Sequence, residues 1–255
     1  MGQGHTHTLH VHGHSPLHRA APQVKVAGTI AFVFAVALTP RTAVWAFAID
    51  ALIVLAAIRV AGLPARFVAT RALVVVPFLL FAVMVPFIGT GERVDVFGLA
   101  LSREGLWGSF NVVAKSMIGV TTSIVLAGTT EVPRILVGLE RLKVPPVLTA
   151  IAGFMLRYLE VVAGELRRMR VSMTARGYDP RWLWQARPVA AAAGALFIRS
   201  YERGERVHRA MVSRGYTGAM PDLHDDVATA RDWTVALVPA AVALTAAVLA
   251  WVVAA

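Results

Sequence analysis

Long apolar blocks are the feature of this sequence that most limits what it can fold into. Hydrophobic residues make up 57% of the chain and charged residues only 16%, whereas soluble domains have about 45 to 50% and about 25%. A helix that crosses the hydrocarbon layer of a bilayer needs about 20 predominantly apolar residues. We therefore predict an all-α polytopic membrane protein with about five transmembrane helices, at 24–39, 42–58, 67–88, 106–127 and 233–253.

The placement of basic residues predicts how these helices are oriented. Arg19 precedes the first predicted helix, and Arg59, Arg66 and Arg71 lie between the second and the third. Because Lys and Arg are enriched in cytoplasmic loops, we expect a multi-pass protein with a cytoplasmic N-terminus. Membrane orientation also accounts for the formal net charge of +10, so we expect the lipid bilayer as a partner and no nucleic acid.

The predicted helices divide the chain into four segments. A His-rich cytoplasmic N-terminal tail covers 1–23, transmembrane helices 1 to 4 cover 24–128, a cytoplasmic module covers 129–225, and the last transmembrane helix lies within 230–255.

Proline and charged residues mark irregular backbone around the third helix. Pro77 and Pro86 lie inside it, and they should kink it because proline removes a backbone donor. The segment 89–105 mixes charged residues with alternating apolar ones, which predicts an external loop with a small hairpin.

The cytoplasmic module is rich in arginine. Twelve of the 25 basic residues, all of them Arg, lie between Arg157 and Arg214. Two predicted helices in this module carry a seam of residues spaced by three and four, as in a heptad repeat. We expect the two seams to be buried on each other, with Gly204 allowing the backbones to approach closely. The seam residues are Met155, Leu159, Val162, Leu166, Met169 and Met173 on the first helix and Phe197, Tyr201, Gly204, His208 and Met211 on the second.

Both of these helices end in the same short sequence. The motif Met-x-x-Arg-Gly-Tyr begins at Met173 and again at Met211, so its Arg residues, Arg176 and Arg214, are 38 positions apart. Glycine just after the last turn is the expected helix stop, because it accepts the left-handed conformation. One copy would be only a capping device, whereas two copies on paired helices indicate two equivalent docking elements.

These paired endings resemble those of a known family. They are similar to the small-residue, Arg, small-residue motifs of the transmembrane T subunit of energy-coupling-factor importers, the CbiQ/EcfT family of the cobalt and nickel type. The matching triplets are Ala175-Arg176-Gly177 and Ser213-Arg214-Gly215. Two further matches are Ser15-Pro16-Leu17-His18-Arg19 ahead of the first helix and Leu156-Arg157-Tyr158 early in the first Arg-rich helix. Where the family often continues with Leu-Asp-Pro-Arg, this chain has Ala20-Ala21-Pro22-Gln23.

The resemblance implies a division of labour among subunits. Two ABC ATPase subunits would hydrolyse ATP and a separate membrane subunit would capture the substrate, in the plasma (inner) membrane of a prokaryote. This chain would transmit ATPase closure through the module at 129–225. The residues that contact the ATPases would be Ala175, Arg176, Gly177, Ser213, Arg214 and Gly215. No GxxxxGK[ST] phosphate-binding motif is present, so we expect the chain itself to be no enzyme and to bind no cofactor.

The N-terminal tail carries most of the histidines. Imidazole is a common ligand of cobalt, nickel, zinc and copper, and the candidates are His5, His7, His10, His12 and His14. No Cys or nearby acid completes a site, so we expect loose transition-metal binding, and a polar tail without function stays an alternative. Cobalt and nickel members of the family often carry such tails. We therefore favour cobalt uptake for vitamin B12 synthesis, with nickel or a vitamin as open alternatives.

Three other functions are alternatives, each with its own expected features. An ordinary ABC permease should show a Glu-Ala-Ala coupling loop, which the sequence lacks. A membrane enzyme acting on lipid should show clustered Asp or an HExxH motif where this chain has Arg. A scaffold that binds anionic lipid through its Arg-rich helices would depend steeply on salt. The absence of cysteine excludes disulfides and thiol catalysis.

Overall fold

The computed structural model describes residues 13, 15–89, 93–96, 99–180, 182–218 and 228–254. Within them the chain forms ten α-helices, two 3₁₀ turns at Leu73–Val75 and Leu183–Ala186, and one two-stranded sheet. The helices are α1 (Pro16–Arg19), α2 (Pro22–Leu38), α3 (Val44–Ala61), α4 (Ala65–Ala72), α5 (Val76–Ile88), α6 (Arg103–Thr129), α7 (Val132–Arg141), α8 (Pro146–Ala175), α9 (Arg187–Val212) and α10 (Ala230–Ala254). The strands are β1 (Arg93–Val96) and β2 (Leu99–Ser102).

Five helical segments of the described chain are long and apolar enough to cross a membrane. They are α3, the segment Ala65–Ile88 that joins α4 to α5, α6, α8 and α10. The prediction of an all-α polytopic membrane fold is confirmed. The set of candidate spanning helices differs from the predicted set in two members. Helix α8 is long and apolar enough to span a membrane, whereas α2, with 17 residues, is shorter. At 1.5 Å per residue α2 is about 26 Å long, slightly less than a bilayer core of about 30 Å.

Proline explains the break between α4 and α5. Pro77 has no N–H to donate to the carbonyl of Leu73, four residues earlier, and that carbonyl instead accepts from the Val76 N–H in a 3₁₀ turn. Pro86 lies inside α5. The predicted interruption of this helix is therefore found just ahead of Pro77.

A short hairpin precedes α6, as the alternation in 89–105 predicts. Strands β1 and β2 are antiparallel, with Arg93 opposite Ser102 and Val96 opposite Leu99. Ser102 is buried, and its hydroxyl accepts a hydrogen bond of 3.2 Å from the N–H of Gly105. The hairpin therefore ends in the residue that caps the N-terminus of α6.

The chain divides into two compact units. The bundle unit lies within Met1–Leu142 and Asp225–Ala255, and the Arg-rich unit is Lys143–His224. The Arg-rich unit contains α8 and α9, and the bundle unit contains the other helices.

Apolar side chains from four helices form the core of the bundle unit. The cluster consists of Phe32, Ala35 and Val36 on α2, Phe47 and Val54 on α3, Ile118 on α6, and Ala240 and Ala243 on α10. Helices α2 and α10 pack closely, because a Cβ on Gly28 would lie only 2.7 Å from the carbonyl oxygen of Ala236. Small residues at this contact let the two backbones approach, as is common in membrane helices.

Candidate functional site

The C-terminal end of α8 is closed by two backbone hydrogen bonds. The carbonyl of Met173 accepts from the N–H of Tyr178 at 3.1 Å, and the carbonyl of Thr174 accepts from the N–H of Gly177 at 3.0 Å. These two bonds are those of a Schellman motif, which satisfies the last carbonyls of the helix.

The end of α9 repeats this geometry. The carbonyl of Met211 accepts from the N–H of Tyr216 at 3.0 Å, and the carbonyl of Val212 accepts from the N–H of Gly215 at 3.0 Å. The φ angles of Gly177 and Gly215 are +80° and +86°. The prediction that each glycine stops its helix in the left-handed conformation is confirmed, and the backbone groups of the repeated Met, Gly and Tyr form this turn.

The Arg of each motif lies at the end of its helix and contacts no partner among the residues that the structure describes. Arg176 and Arg214 are exposed, as are the small residues beside them, Ala175 and Ser213. Within the described residues neither guanidinium has a hydrogen bond or an ion pair. A guanidinium offers five donors in a planar fork that fits carboxylates and carbonyls. Among the described residues, the Arg-rich unit therefore presents two guanidinium groups without a partner, on two turns with the same hydrogen bonds.

The predicted seams are only partly buried. On α8, Val162, Met169 and Met173 are half-buried, whereas Met155 and Leu159 are exposed. Leu166 is exposed as well. The expectation that this whole seam is buried on α9 is therefore wrong for Met155, Leu159 and Leu166, whose apolar side chains face outward from the chain.

On α9 the half-buried residues lie one position before the predicted seam, except for Met211, which belongs to both. Phe197 and Tyr201 are exposed, and so are Gly204 and His208, while Met211 is half-buried. A Cβ on Gly204 would have no atom within 4 Å, so the predicted close approach of the backbones there is wrong. The half-buried stripe consists of Leu196, Ser200, Arg203, Val207 and Met211. Both stripes have helical spacing. The apolar side chains of Phe197 and Tyr201 favour the exposed stripe in a heptad pattern, so the pattern alone selects the wrong face.

An ion pair joins the two helices where those half-buried faces meet. Glu165 Oε1 lies 2.9 Å from the Nη1 of Arg199, and its Oε2 lies 3.8 Å from the Nη2 of Arg203. The Glu165 side chain is only 13% exposed, against 59% for Arg199. Sequence analysis gave this acid no role, although it falls on the stripe of Val162 and Met169.

A second acidic residue that sequence analysis missed lies in the bundle unit. Asp50 on α3 is completely buried, and within the described residues neither carboxylate oxygen has a hydrogen-bond partner. Its signal in the sequence is that it is the one acid among the apolar residues of 44–61. An acidic side chain within a membrane-spanning helix costs free energy, so such residues are rare.

The histidine candidates fall outside the described residues. This holds for His5, His7, His10, His12 and His14, so their role as loose metal ligands stays a prediction. Across the part of the chain that the structure describes, no three His, Cys, Asp or Glu side chains are grouped to hold a metal ion.

Sequence comparison assigns this arrangement to a family. A family model described as CbiQ, cobalt transport protein, matches residues 13–224. This chain belongs to the CbiQ family of cobalt transport proteins. The matched region includes both Arg triplets and the Ser-Pro-Leu-His-Arg segment at 15–19, and it confirms the resemblance to the CbiQ/EcfT family.

The CbiQ relatives include transport proteins from several prokaryotes. The cobalt transport protein CbiQ of Rhodobacter capsulatus is 29% identical over 161 residues, which cover 63% of this chain and 64% of that protein. The energy-coupling factor transporter transmembrane protein EcfT of Thermosediminibacter oceani is 26% identical over 222 residues, covering 82% and 83%. An uncharacterized protein of Methanocaldococcus jannaschii is 28% identical over 134 residues, covering 51% and 50%. The chain thus spans about half the length of some of the curated relatives it matches.

Proposed function

We propose that this CbiQ-family chain is the transmembrane coupling subunit of an energy-coupling-factor importer. In this function it transmits ATP-driven movement from two ABC ATPase subunits to a membrane subunit that captures the substrate. The observation that carries the proposal is the pair of identical helix ends, each presenting an exposed Arg without a partner in the described chain.

Two identical ends are suited to two similar binding surfaces. Arg176 and Arg214 lie within turns that have the same hydrogen bonds and nearly the same glycine φ angle, so the two side chains start from similar backbone geometry. A preorganised turn lowers the conformational cost of binding. Two ATPase subunits of one dimer, whether identical or homologous, would each accept one of these ends.

Cobalt is the substrate that we propose, with nickel as the chemically related alternative. The support is the description of the matching family and the name of the Rhodobacter relative. We expect the capture subunit, and not this chain, to bind the ion during transport. We assign ATP hydrolysis to the ATPase subunits because this chain lacks a phosphate-binding motif.

Substitution of both Arg residues tests the coupling role. The complex is expressed in a host without cobalt uptake, and the variant carries Arg176→Ala with Arg214→Ala. Each lost charge-assisted contact should cost about 1.5 to 3 kcal/mol, so we expect loss of ATPase co-purification and of radioactive cobalt uptake, with the chain still present in the membrane. The matched control is Arg167→Ala with Arg209→Ala, which removes the same charge from exposed positions of the same helices.

Three outcomes would contradict parts of this proposal. Unimpaired uptake by the Arg176 and Arg214 double variant would overturn the coupling role. ATP hydrolysis by the purified chain alone would overturn the division between coupling and catalysis. Uptake of a vitamin, without cobalt or nickel, would overturn the substrate and leave the coupling role intact.

A further inference from the structure

Glu165 and Arg203 occupy equivalent positions of the internal repeat. Glu165 lies 11 residues before Arg176, and Arg203 lies 11 residues before Arg214. The offset of 38 that relates the two Met-x-x-Arg-Gly-Tyr motifs therefore also relates Glu165 to Arg203. When two similar helices contact each other through equivalent positions, the lengths from the contact to the two ends are the same. Here each length is about 16 Å at 1.5 Å per residue.

The contact at this point is electrostatic. The carboxylate of Glu165 lies between two guanidinium groups one helical turn apart, 2.9 Å from that of Arg199 and 3.8 Å from that of Arg203. Equivalent positions with the same charge would repel each other, whereas opposite charges attract. Glu165 is also the best shielded member of the cluster, at 13% exposure, and shielding from water strengthens the attraction.

Elsewhere on these helices the ion pairs have a different character. Glu202 pairs with Arg206 at 3.9 Å and Glu205 pairs with Arg209 at 3.2 Å, each within α9 and each between exposed side chains. Pairs of this kind contribute little to stability, and they place no restraint on α8. The Glu165 cluster differs because it joins two separate helices across a half-buried contact.

We infer that Glu165, with Arg199 and Arg203, is the pivot that fixes where α8 and α9 cross. It is a positioning element: it holds the two Arg-bearing ends at equal distances from the crossing point, so that a displacement of one end is transmitted to the other. The inference deepens the proposed coupling function and rests on it for its biological meaning, but the pivot itself is a property of the single chain.

A distance measurement in the full-length chain tests the pivot without any partner subunit. The chain contains no cysteine, so spin labels attach only where Cys is introduced. Ser172→Cys and Ala210→Cys place one label near each helix end, at exposed positions again 38 residues apart. In lipid nanodiscs we expect Glu165→Gln to broaden the distribution of label distances about twofold, because the helices lose the ion pairs that couple them.

Two further variants separate the pivot from a general loss of folding. Glu205→Gln, which breaks an exposed pair within α9, should leave the distribution unchanged. The inverted variant Glu165→Arg with Arg199→Glu and Arg203→Glu should restore a distribution close to the parent. A distribution that stays narrow in Glu165→Gln, or a broad one in the inverted variant, would overturn the pivot.

Uptake by the assembled importer then tests what the pivot does. We expect Glu165→Gln to lower cobalt uptake while co-purification of the ATPases is retained, because both Arg ends are still present. Retained uptake together with a broadened distribution would overturn the transmission role. Loss of the pivot and loss of the proposed function remain distinguishable, since the latter is tested by the Arg176 and Arg214 variant.

Discussion

Lys25 donates a hydrogen bond of 3.1 Å from its Nζ to the carbonyl oxygen of Thr129, 104 residues further along the chain. Lys25 belongs to the first turn of α2 and is buried, and Thr129 is the last residue of α6. A cation at the C-terminal end of a helix satisfies a free carbonyl and complements the helix dipole. Nearby, Arg141 of α7 donates a hydrogen bond of 3.2 Å to the side-chain oxygen of Gln23. The start of α2 therefore holds together the ends of α6 and α7.

Substitution of Lys25 should destabilise the bundle unit. Lys25→Met keeps the length of the side chain but removes the charge-assisted bond to a buried carbonyl, which should cost about 1.5 to 3 kcal/mol. The thermal midpoint of the purified chain in detergent measures the loss. Lys115→Met is the matched control, because Lys115 donates a hydrogen bond of 2.8 Å to the carbonyl of Ala37 at a more exposed point. Equal midpoints for the Lys25 variant and the parent would show that this bond is dispensable.

The glycines that end α8 and α9 should not tolerate a side chain. Gly177 and Gly215 have positive φ, where an alanine costs about 1 to 2 kcal/mol. We expect Gly177→Ala with Gly215→Ala to redirect both Arg residues and to reduce co-purification of the ATPases. The control is Gly204→Ala in the interior of α9, which has room for a methyl group and should gain about 0.5 to 1 kcal/mol. Full ATPase binding by the double variant would mean that the turns do not position the Arg residues.

Removal of the buried carboxyl group on α3 should stabilise the bundle unit. Asp50 has no hydrogen-bond partner among the described residues, and leaving a polar group unsatisfied costs about 1 to 3 kcal/mol. We therefore expect Asp50→Ala to raise the thermal midpoint, and Asp50→Asn to raise it less because the amide stays polar. A lower midpoint for Asp50→Ala would reveal an interaction that the carboxyl group makes in the membrane.

The N-terminal histidines should bind divalent metal weakly and independently of transport. A variant with Ala at His5, His7, His10, His12 and His14 should lose Co²⁺ binding in calorimetry, because neutral imidazole is the expected ligand. At saturating cobalt, uptake by this variant should equal that of the parent. Tight Co²⁺ binding that survives the five substitutions would place the ligands elsewhere.

The sequence alone was sufficient to predict the local features of this protein. Hydropathy and length identify four of the five segments long enough to span a membrane, because a bilayer imposes a minimum length. The Met-x-x-Arg-Gly-Tyr motifs identify the two helix ends because glycine is the residue that adopts the left-handed conformation without strain. The position of Pro77 likewise accounts for the break at Leu73–Val75. Each of these features depends on residues that are neighbours along the chain.

Only the tertiary structure decided which side chains meet across helices. Helical periodicity shows that Phe197 and Tyr201 share a face, but both are exposed, and the half-buried face of α9 contains Arg203. Glu165 becomes the partner of Arg199 and Arg203, and Lys25 becomes the cap of α6, through contacts between residues 34 to 104 positions apart. Periodicity is a property of one helix, whereas the direction in which its face turns depends on the packing of all the helices around it.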